Sequence, residues 1–273
     1  MTEMAAQGAP RRVDGPDMAV IGGSGFYTFF DTGAEVVDVE TPYGRPSAPI
    51  TVGEVAGRRT AFLPRHGARH EHAPHTVPYR ANMWALRSLG VHKVFAPCAA
   101  GSLSPGLGRG AIVVPDQLVD RTSGRSQTYF DGGAVHVQFA DPYCPDLRAA
   151  ALRPGTVDGG AMVVVEGPRF STRAESRWFA AQGWSLVNMT GHPEAVLARE
   201  LEMCYATLAL ITDLDAGVDV GQGVRAVDAF AEFERNVGPF KDLVRAAITA
   251  APSTAVCSHC RVHEGVTLPI ELP

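Results

Sequence analysis

The chain has 273 residues, 45% of them hydrophobic, so it can bury a sizeable core and is expected to form one domain. Its formal net charge of -5, with no basic block, argues against a nucleic-acid partner, because phosphate-backbone binding needs a concentrated Lys/Arg surface. It has neither an apolar secretion signal nor the ~20 apolar residues of a membrane span. These features predict a cytoplasmic protein with a small-molecule ligand, a flexible tail over 1–16 and a domain over 17–273.

Strand-like and helix-like segments alternate along the chain. The predicted strands are 18–21, a hairpin of 52–55 with 60–63, and apolar runs at 91–101, 111–120, 134–141, 162–167, 184–189 and 206–213. The first predicted helix starts at Pro78 and stops at Gly90, and others cover 171–183, 193–203 and about 226–250. This alternation indicates an α/β fold, with helices on both faces of a sheet.

Two aspartates one residue apart, Asp213 and Asp215, close an apolar strand-like run. Residues i and i+2 of a strand share a face, so both carboxylates are expected in one site at the strand's end. One carboxyl group can protonate a purine ring nitrogen while the other accepts from an exocyclic amine, and two close acids raise the pKa of one of them. Acids after a strand are also often helix N-caps or solvated turn residues, and spacing alone leaves that alternative open.

Three other strand ends carry polar groups. The turn 22–25 exposes backbone N–H groups and the Ser24 hydroxyl to an anion, although it matches no standard phosphate-loop motif. Arg65 and His66 offer a guanidinium fork beside a neutral or cationic donor, which suits a phosphate dianion or a structural ion pair. The run 188–190 offers the Thr190 hydroxyl beside a methionine, and a lone methionine is more often a core residue than a ligand contact.

The five cysteines have unrelated spacings and do not form the disulfide framework of a secreted protein. Cys257 and Cys260 make one C-x-x-C motif, but a zinc site needs four ligands and the sequence shows no second pair upstream. The sequence therefore predicts no metal site, and a pair of surface thiols near the C-terminus.

Many long segments resemble the trimeric purine nucleoside phosphorylase family, most closely its 5′-methylthioadenosine phosphorylase branch. They include IGGSGFY (21–27), FLPRHG (62–67), VVVEGPRFSTRAES (163–176), NMTGHPEAVLARE (188–200) and TDLD (212–215). The resemblance implies a single-domain, phosphorylase-type mixed β-sheet flanked by helices on both faces, and a homotrimer. It also implies phosphorolysis of 5′-methylthioadenosine, or a related 5′-substituted adenosine, to adenine and the 5-substituted ribose 1-phosphate. Phosphate is then a co-substrate, and no cofactor or metal is required.

The resemblance also assigns roles by position. Phosphate binding falls on Ser24, Arg65, His66, Cys98, Ala99 and Thr190. Nucleoside contacts fall on Phe170, Met189, Asp213, Leu214 and Asp215, with Asp213 as the general acid at purine N7 and Asp215 accepting from the 6-amino group. The 5′ substituent falls to Ser171, Ala226, Ala229 and Phe230, and to His136, which reaches in from a neighbouring subunit.

Departures from the family pattern leave the exact substrate open. Ala229 stands where the 6-oxopurine nucleoside phosphorylases have a histidine, which favours methylthio over hydroxyl because an unbonded buried hydroxyl costs about 1–3 kcal/mol. Phe230 would narrow the 5′ pocket, Cys98 replaces a hydroxyl by a weak thiol donor, and the orientation of His192 is open. The alternatives are a 6-oxopurine or broad-specificity purine nucleoside phosphorylase and a catalytically silent nucleoside-binding protein.

Overall fold

The computed structural model describes residues 15–218, 223–253 and 256–273, which contain one 11-stranded mixed sheet and five α-helices. The strands are β1 (Met18–Gly22), β2 (Glu35–Val37), β3 (Ile50–Val55), β4 (Arg58–Pro64), β5 (Lys93–Ser102), β6 (Ile112–Val114), β7 (Gln117–Arg121), β8 (Thr156–Asp158), β9 (Ala161–Val165), β10 (Leu186–Asn188) and β11 (Cys204–Leu214). The helices are α1 (Tyr79–Ser88), α2 (Pro145–Ala151), α3 (Arg173–Ala181), α4 (Gly191–Glu200) and α5 (Ala226–Ala250), with 3₁₀ turns at Pro74–Thr76 and Ser258–Cys260.

Strand β1 illustrates why the sheet is covered on both faces. Its five residues are all buried, with Ala19 and Ile21 in one hydrophobic cluster and Met18 and Val20 in another. Successive strand residues point to opposite faces, so a continuous apolar run needs a packed layer on each side. The first cluster includes residues of α1 and α4, and the second includes residues of α2 and α5. The predicted fold class is confirmed.

Strand β5 lies at the centre of the sheet. It pairs in parallel with β1 and with β11, and its last residues pair antiparallel with β10. Since β1 is also parallel to β4, the carboxyl ends of β1, β4, β5 and β11 meet at the same edge of the sheet. Polar residues that follow these strands are thereby brought together.

Most of the predicted elements are present. Helix α1 begins after Pro78 and is followed by Gly90 in the left-handed region at φ 94°, and α5 covers the predicted 226–250. Pro115 interrupts the run 111–120, which forms the two strands β6 and β7.

The predicted strand at 134–141 is wrong. Exposed and half-buried residues alternate along this segment, but it pairs with no strand in the described part of the chain. The guanidinium of Arg199 instead donates to the carbonyl groups of Gln138 and Asp141. Alternating burial predicts which side chains face inward, whereas a β-ladder also needs a partner backbone.

Among the described helices, none has the length and apolar character required to cross a membrane. Residues 1–14 of the predicted tail lie outside the described residues, so the boundary at residue 16 stays a prediction.

Candidate active site

A cavity of about 230 Å³ lies at the edge of the sheet where β1, β4, β5 and β11 end. In open α/β sheets, ligands bind beyond the carboxyl ends of the strands. Most of the residues predicted for the site line this cavity. They are Ser24, Arg65, His66, Cys98, Ala99, Phe170, Ser171, Met189, Thr190, Asp213, Asp215, Ala226, Ala229 and Phe230.

Asp213 and Asp215 both line the cavity, as their spacing predicted. The pairing of β11 with β5 shifts register between Ile211 and Asp213, which makes Thr212 the extra residue of a β-bulge. Thr212 also lines the cavity, and its hydroxyl donates to Asp213 Oδ2 at 2.9 Å. Gly101 pairs with Asp213, and a Cβ at this glycine would lie 2.9 Å from Asp213 Oδ1. The bulge and the glycine together position the acid pair.

Both carboxyl groups are poorly solvated, since Asp213 is 8% exposed and Asp215 is 2% exposed. Burial raises the pKa of Asp213, and the nearby charge of Asp215 raises it further. Burial is also the main cause that raises the pKa of Asp215. Asp215 Oδ2 has no hydrogen-bond partner among the described residues, so its accepting capacity is open. The pair can therefore supply a proton from one acid and an acceptor from the other.

Arg65 follows β4 and is almost completely buried. Its Nε and Nη2 atoms donate to the two carboxylate oxygens of Glu194 at 2.7 and 2.8 Å. Burial alone would lower the pKa of Arg65, but the ion pair with Glu194 outweighs it and the pKa is raised. The sequence suggested that this guanidinium fork binds phosphate. Nε and Nη2 instead pair with Glu194, whose negative charge the buried cation requires. Within the described residues, Nη1 makes only a 3.4 Å contact with the Pro97 carbonyl, which leaves this nitrogen a hydrogen for a ligand.

His66 has a defined tautomer. Its Nδ1 lies 2.8 Å from the carbonyl oxygen of His72, and since a carbonyl can only accept, Nδ1 carries the hydrogen. Burial and the positive charge of Arg65 lower the pKa of His66 to about 3, so the ring is neutral at neutral pH. Nε2 is then an acceptor rather than the second donor that the sequence suggested.

Ser24 follows the tight turn after β1 and faces the same cavity. A Cβ at Gly23 would lie 2.9 Å from Arg65 Nη1 and 3.3 Å from Cys98 Cα, so glycine allows this turn to approach the guanidinium closely. Burial raises the pKa of Cys98 to about 12, so its thiol stays protonated at neutral pH. It is a weak, uncharged donor and does not add a negative charge to the site.

Thr190 is positioned by Asn188 at the end of β10. Asn188 Oδ1 accepts from the backbone N–H groups of Thr190 and Gly191 at 2.7 and 2.8 Å. Its Nδ2 donates to the carbonyl of Ala99 at 2.9 Å, which ties this loop to β5. The buried amide therefore fixes the loop that presents the Thr190 hydroxyl to the cavity.

The first two turns of α5 form an apolar wall of the cavity, made by Ala226, Ala229, Phe230 and Phe233. Phe230 is 45% exposed, so it lies at the mouth and does not fill the interior. His70 borders this wall, with its ring 6.0 Å from that of Phe230 and its Nδ1 3.1 Å from the Tyr27 hydroxyl. The wall suits an apolar substituent, with one histidine at its margin.

Comparison with known proteins identifies the family. The sequence model that describes the phosphorylase superfamily matches residues 17–265 of this chain. The chain belongs to the phosphorylase superfamily. The family resemblance seen in the sequence is confirmed, and the acids, the buried arginine and the hydroxyl groups line one cavity of a superfamily member.

The relatives carry two names. An S-methyl-5′-thioadenosine phosphorylase of Mycolicibacterium smegmatis is 72% identical over 257 residues, which cover 94% of this chain and 99% of the relative. A purine nucleoside phosphorylase of Streptomyces coelicolor is 55% identical over 253 residues, which cover 87% and 90%. Among solved structures, the methylthioadenosine phosphorylase of Schistosoma mansoni in complex with adenine is 34% identical with a TM-score of 0.80, covering 86% of this chain and 91% of that chain.

The structure of this superfamily member differs from two expectations, for Leu214 and Cys260, and answers the open question of where His192 points. Leu214 does not line the cavity, because it lies between Asp213 and Asp215 and strand alternation directs its side chain to the other side. His192 turns toward Asp120, with its Nε2 3.3 Å from a carboxylate oxygen, and is not part of the cavity. Cys260 is 1% exposed, so the C-x-x-C motif is not a pair of surface thiols.

His136 is exposed and does not line the cavity of its own chain. Its predicted contact with a neighbouring subunit stays a prediction.

Sequence reasoning missed His70, Glu194 and Asn188. Glu194 lies 129 positions from Arg65, and local spacing carries no signal for such a pair. Asn188 was singled out only as the start of its segment, although an asparagine at a strand end is a frequent loop organiser. His70 adopts a positive φ of 61°, which is uncommon for a residue other than glycine, and no motif of the sequence marks it.

Proposed function

We propose that the chain cleaves S-methyl-5′-thioadenosine, or a closely related 5′-substituted adenosine, with inorganic phosphate. The products are adenine and the 5-substituted ribose 1-phosphate. The observation that carries the proposal is the buried acid pair Asp213 and Asp215, in one cavity with an apolar wall at one side and Arg65 at the other. The names of the Mycolicibacterium smegmatis and Schistosoma mansoni relatives support the same substrate class.

Phosphate would bind beside β1, β4 and β10. Arg65 Nη1 and the hydroxyl groups of Ser24 and Thr190 supply donors, and the protonated Cys98 thiol adds a weak one. Neutral His66 would accept the hydrogen of monohydrogen phosphate at Nε2, which fixes the orientation of the anion. The phosphate oxygen is already a nucleophile, so this site requires no metal or organic cofactor.

The acids would act at the purine. As the glycosidic bond breaks and phosphate bonds to C1′, the electron pair of the bond leaves with the base. Asp213, whose pKa is raised by burial, would transfer its proton to N7. Asp215 Oδ2 would accept from the 6-amino group, which a 6-oxopurine lacks. Phe170 and Met189 would contact the base and the ribose.

An assay of nucleosides with and without phosphate tests the function. Methylthioadenosine, adenosine and inosine are incubated with the protein, and released base is measured by chromatography. We expect methylthioadenosine to have the highest kcat/KM, and no base to be released without phosphate. A preference for inosine would contradict the role of Asp215, and tight nucleoside binding without base release would favour the silent binding protein.

A broader purine nucleoside phosphorylase is the second candidate. It is favoured by the Streptomyces coelicolor relative and by His70, a ring at the 5′ wall that can bond a hydroxyl group. Faster turnover of adenosine than of methylthioadenosine, lost in His70→Ala, would support it.

Replacing Ala229 by His tests the 5′ wall. A histidine in this wall can bond a 5′-hydroxyl, and a hydrogen bond contributes about 0.5–1.5 kcal/mol. We therefore expect Ala229→His to lower the ratio of kcat/KM for methylthioadenosine over adenosine by about 2- to 10-fold. Val227→His is the matched control, because Val227 is on the same turn of α5 but is exposed and outside the cavity. An equal shift in both variants would contradict the assignment of this wall.

We also propose that the protein works in the cytoplasm as a homotrimer in which His136 completes a neighbour's 5′ site. The family resemblance and the exposure of His136 support this arrangement. Analytical ultracentrifugation measures the subunit number, and His136→Ala should raise the KM for the nucleoside if the contact forms.

A further inference from the structure

Four of the five cysteines come together far from the cavity. The Sγ atoms of Cys144, Cys204, Cys257 and Cys260 all lie within 4.8 Å of one another. Cys144 precedes α2, and Cys204 is the first residue of β11. Cys257 precedes the C-terminal 3₁₀ turn, and Cys260 is the last residue of that turn. None of the four lines the catalytic cavity. Cys204 and Asp213 are nine residues apart on one strand, which corresponds to about 30 Å.

The spacing of the sulfur atoms matches a tetrahedral metal site. Cys257 Sγ lies 3.6 Å from Cys144 Sγ and 3.7 Å from Cys204 Sγ. A tetrahedron with Zn–S bonds of about 2.3 Å has sulfur atoms about 3.8 Å apart at its corners. A disulfide would need a sulfur separation of about 2.05 Å and would join the sulfurs only in pairs. The geometry brings four ligands around one point.

The local setting also suits zinc. The C-x-x-C spacing of Cys257 and Cys260, folded as a 3₁₀ turn, is within the ligand spacing of structural zinc sites. Cys144 and Cys204 supply the second pair, which local sequence spacing could not reveal. Cys257 is half-buried whereas the other three are buried, so an ion has a route of entry on one side.

We propose that these four thiolates bind one zinc ion in a closed, structural site. Binding breaks four S–H bonds, forms four Zn–S bonds and releases four protons, so no oxidant is involved. The ion would tie the C-terminal segment to the starts of α2 and β11. Glu202 already holds the same segment, because its Oε1 accepts from the backbone N–H groups of Val262 and His263 at 2.9 Å. A ligand that binds only the folded chain adds to its stability.

Metal content tests the proposal directly. The full chain is purified under reducing conditions without chelators, and zinc is measured by plasma mass spectrometry. We expect about one zinc per chain, and its loss in Cys260→Ser. Cys98→Ser is the matched control. Cys98 is the one cysteine outside the cluster, so this variant should retain zinc.

A second measurement on the unmutated chain keeps the proposal testable if Cys260→Ser does not fold. Reconstitution with Co²⁺ should give the intense visible bands and the thiolate charge-transfer band of a tetrahedral tetrathiolate site. For this measurement, zinc is first removed from the chain under reducing conditions and the site is refilled with Co²⁺. Failure to take up either metal, or an intact mass showing that cluster thiols are joined as disulfides in the freshly purified chain, would overturn the proposal.

Discussion

Replacing Asp213 by Asn is expected to lower kcat for phosphorolysis by about 10²- to 10⁴-fold, the usual contribution of a general acid. The amide keeps the size of the side chain and can still accept from the Thr212 hydroxyl, but it has no proton to transfer to a leaving purine. In the unmutated protein, activity should fall as pH rises through the raised pKa of Asp213, because the protonated form is consumed. This limb of the pH profile should be absent from the variant.

The stability of Asp213→Asn separates a catalytic role from a structural one. A carboxyl group whose pKa is higher in the fold than in the unfolded chain binds its proton more tightly in the fold. Its ionisation therefore destabilises the fold as pH rises from the unfolded pKa through the folded pKa, and the penalty is fully present above both. The Asn variant lacks this penalty, so its melting temperature at neutral pH should equal or exceed that of the unmutated chain. Asp242→Asn makes the same change at an exposed aspartate and is the control for the melting temperature. Near-native turnover by Asp213→Asn would rule out Asp213 as the general acid.

The sequence predicts well which residues lie at the ends of the strands, but it predicts poorly how neighbouring strands pair. Apolar runs that end in glycine, serine or aspartate place Ser24, Asp213 and Asp215 at strand ends, and strand alternation puts both acids in one cavity. The β-bulge at Thr212 is not encoded in that alternation, because it depends on the register between β11 and β5. The prediction therefore gives the acids but not the hydroxyl group that orients Asp213.

Long-range partners were the main source of error. Cys257 has only Cys260 near it in the sequence, but Cys144 lies 113 positions before it and packs against it in the fold. Likewise, the alternating pattern of the segment 134–141 predicts which of its side chains face inward. It does not predict that the Arg199 guanidinium, rather than a neighbouring strand, bonds to the carbonyl groups of this segment. Local patterns specify what a segment can do, and the tertiary structure decides which partner it meets.

Replacing Glu194 by Gln is expected to lower the free energy of unfolding by about 3–5 kcal/mol, because it leaves Arg65 as an unpaired buried charge. Both side chains are 1% exposed, so water cannot replace the lost carboxylate. In either orientation the new amide nitrogen would face an Arg65 N–H group, donor against donor, because Arg65 Nε and Nη2 donate to the two oxygens of Glu194. For a total stability of about 5–15 kcal/mol, this is a large loss. Urea unfolding followed by circular dichroism measures it.

Two comparisons show whether the loss comes from the buried charge. Glu40→Gln makes the same change in the exposed pair with Arg45, where both side chains are more than 80% exposed, and should leave stability unchanged. Adding Arg65→Met to Glu194→Gln removes the unpaired cation, so the double variant should be more stable than Glu194→Gln alone. It should nevertheless be inactive, since Arg65 Nη1 is then lost to phosphate. If the double variant were less stable than Glu194→Gln, the unpaired charge would not be the cause, and Arg65 would stabilise the fold through its other contacts with the carbonyl groups of Ile21 and Pro97.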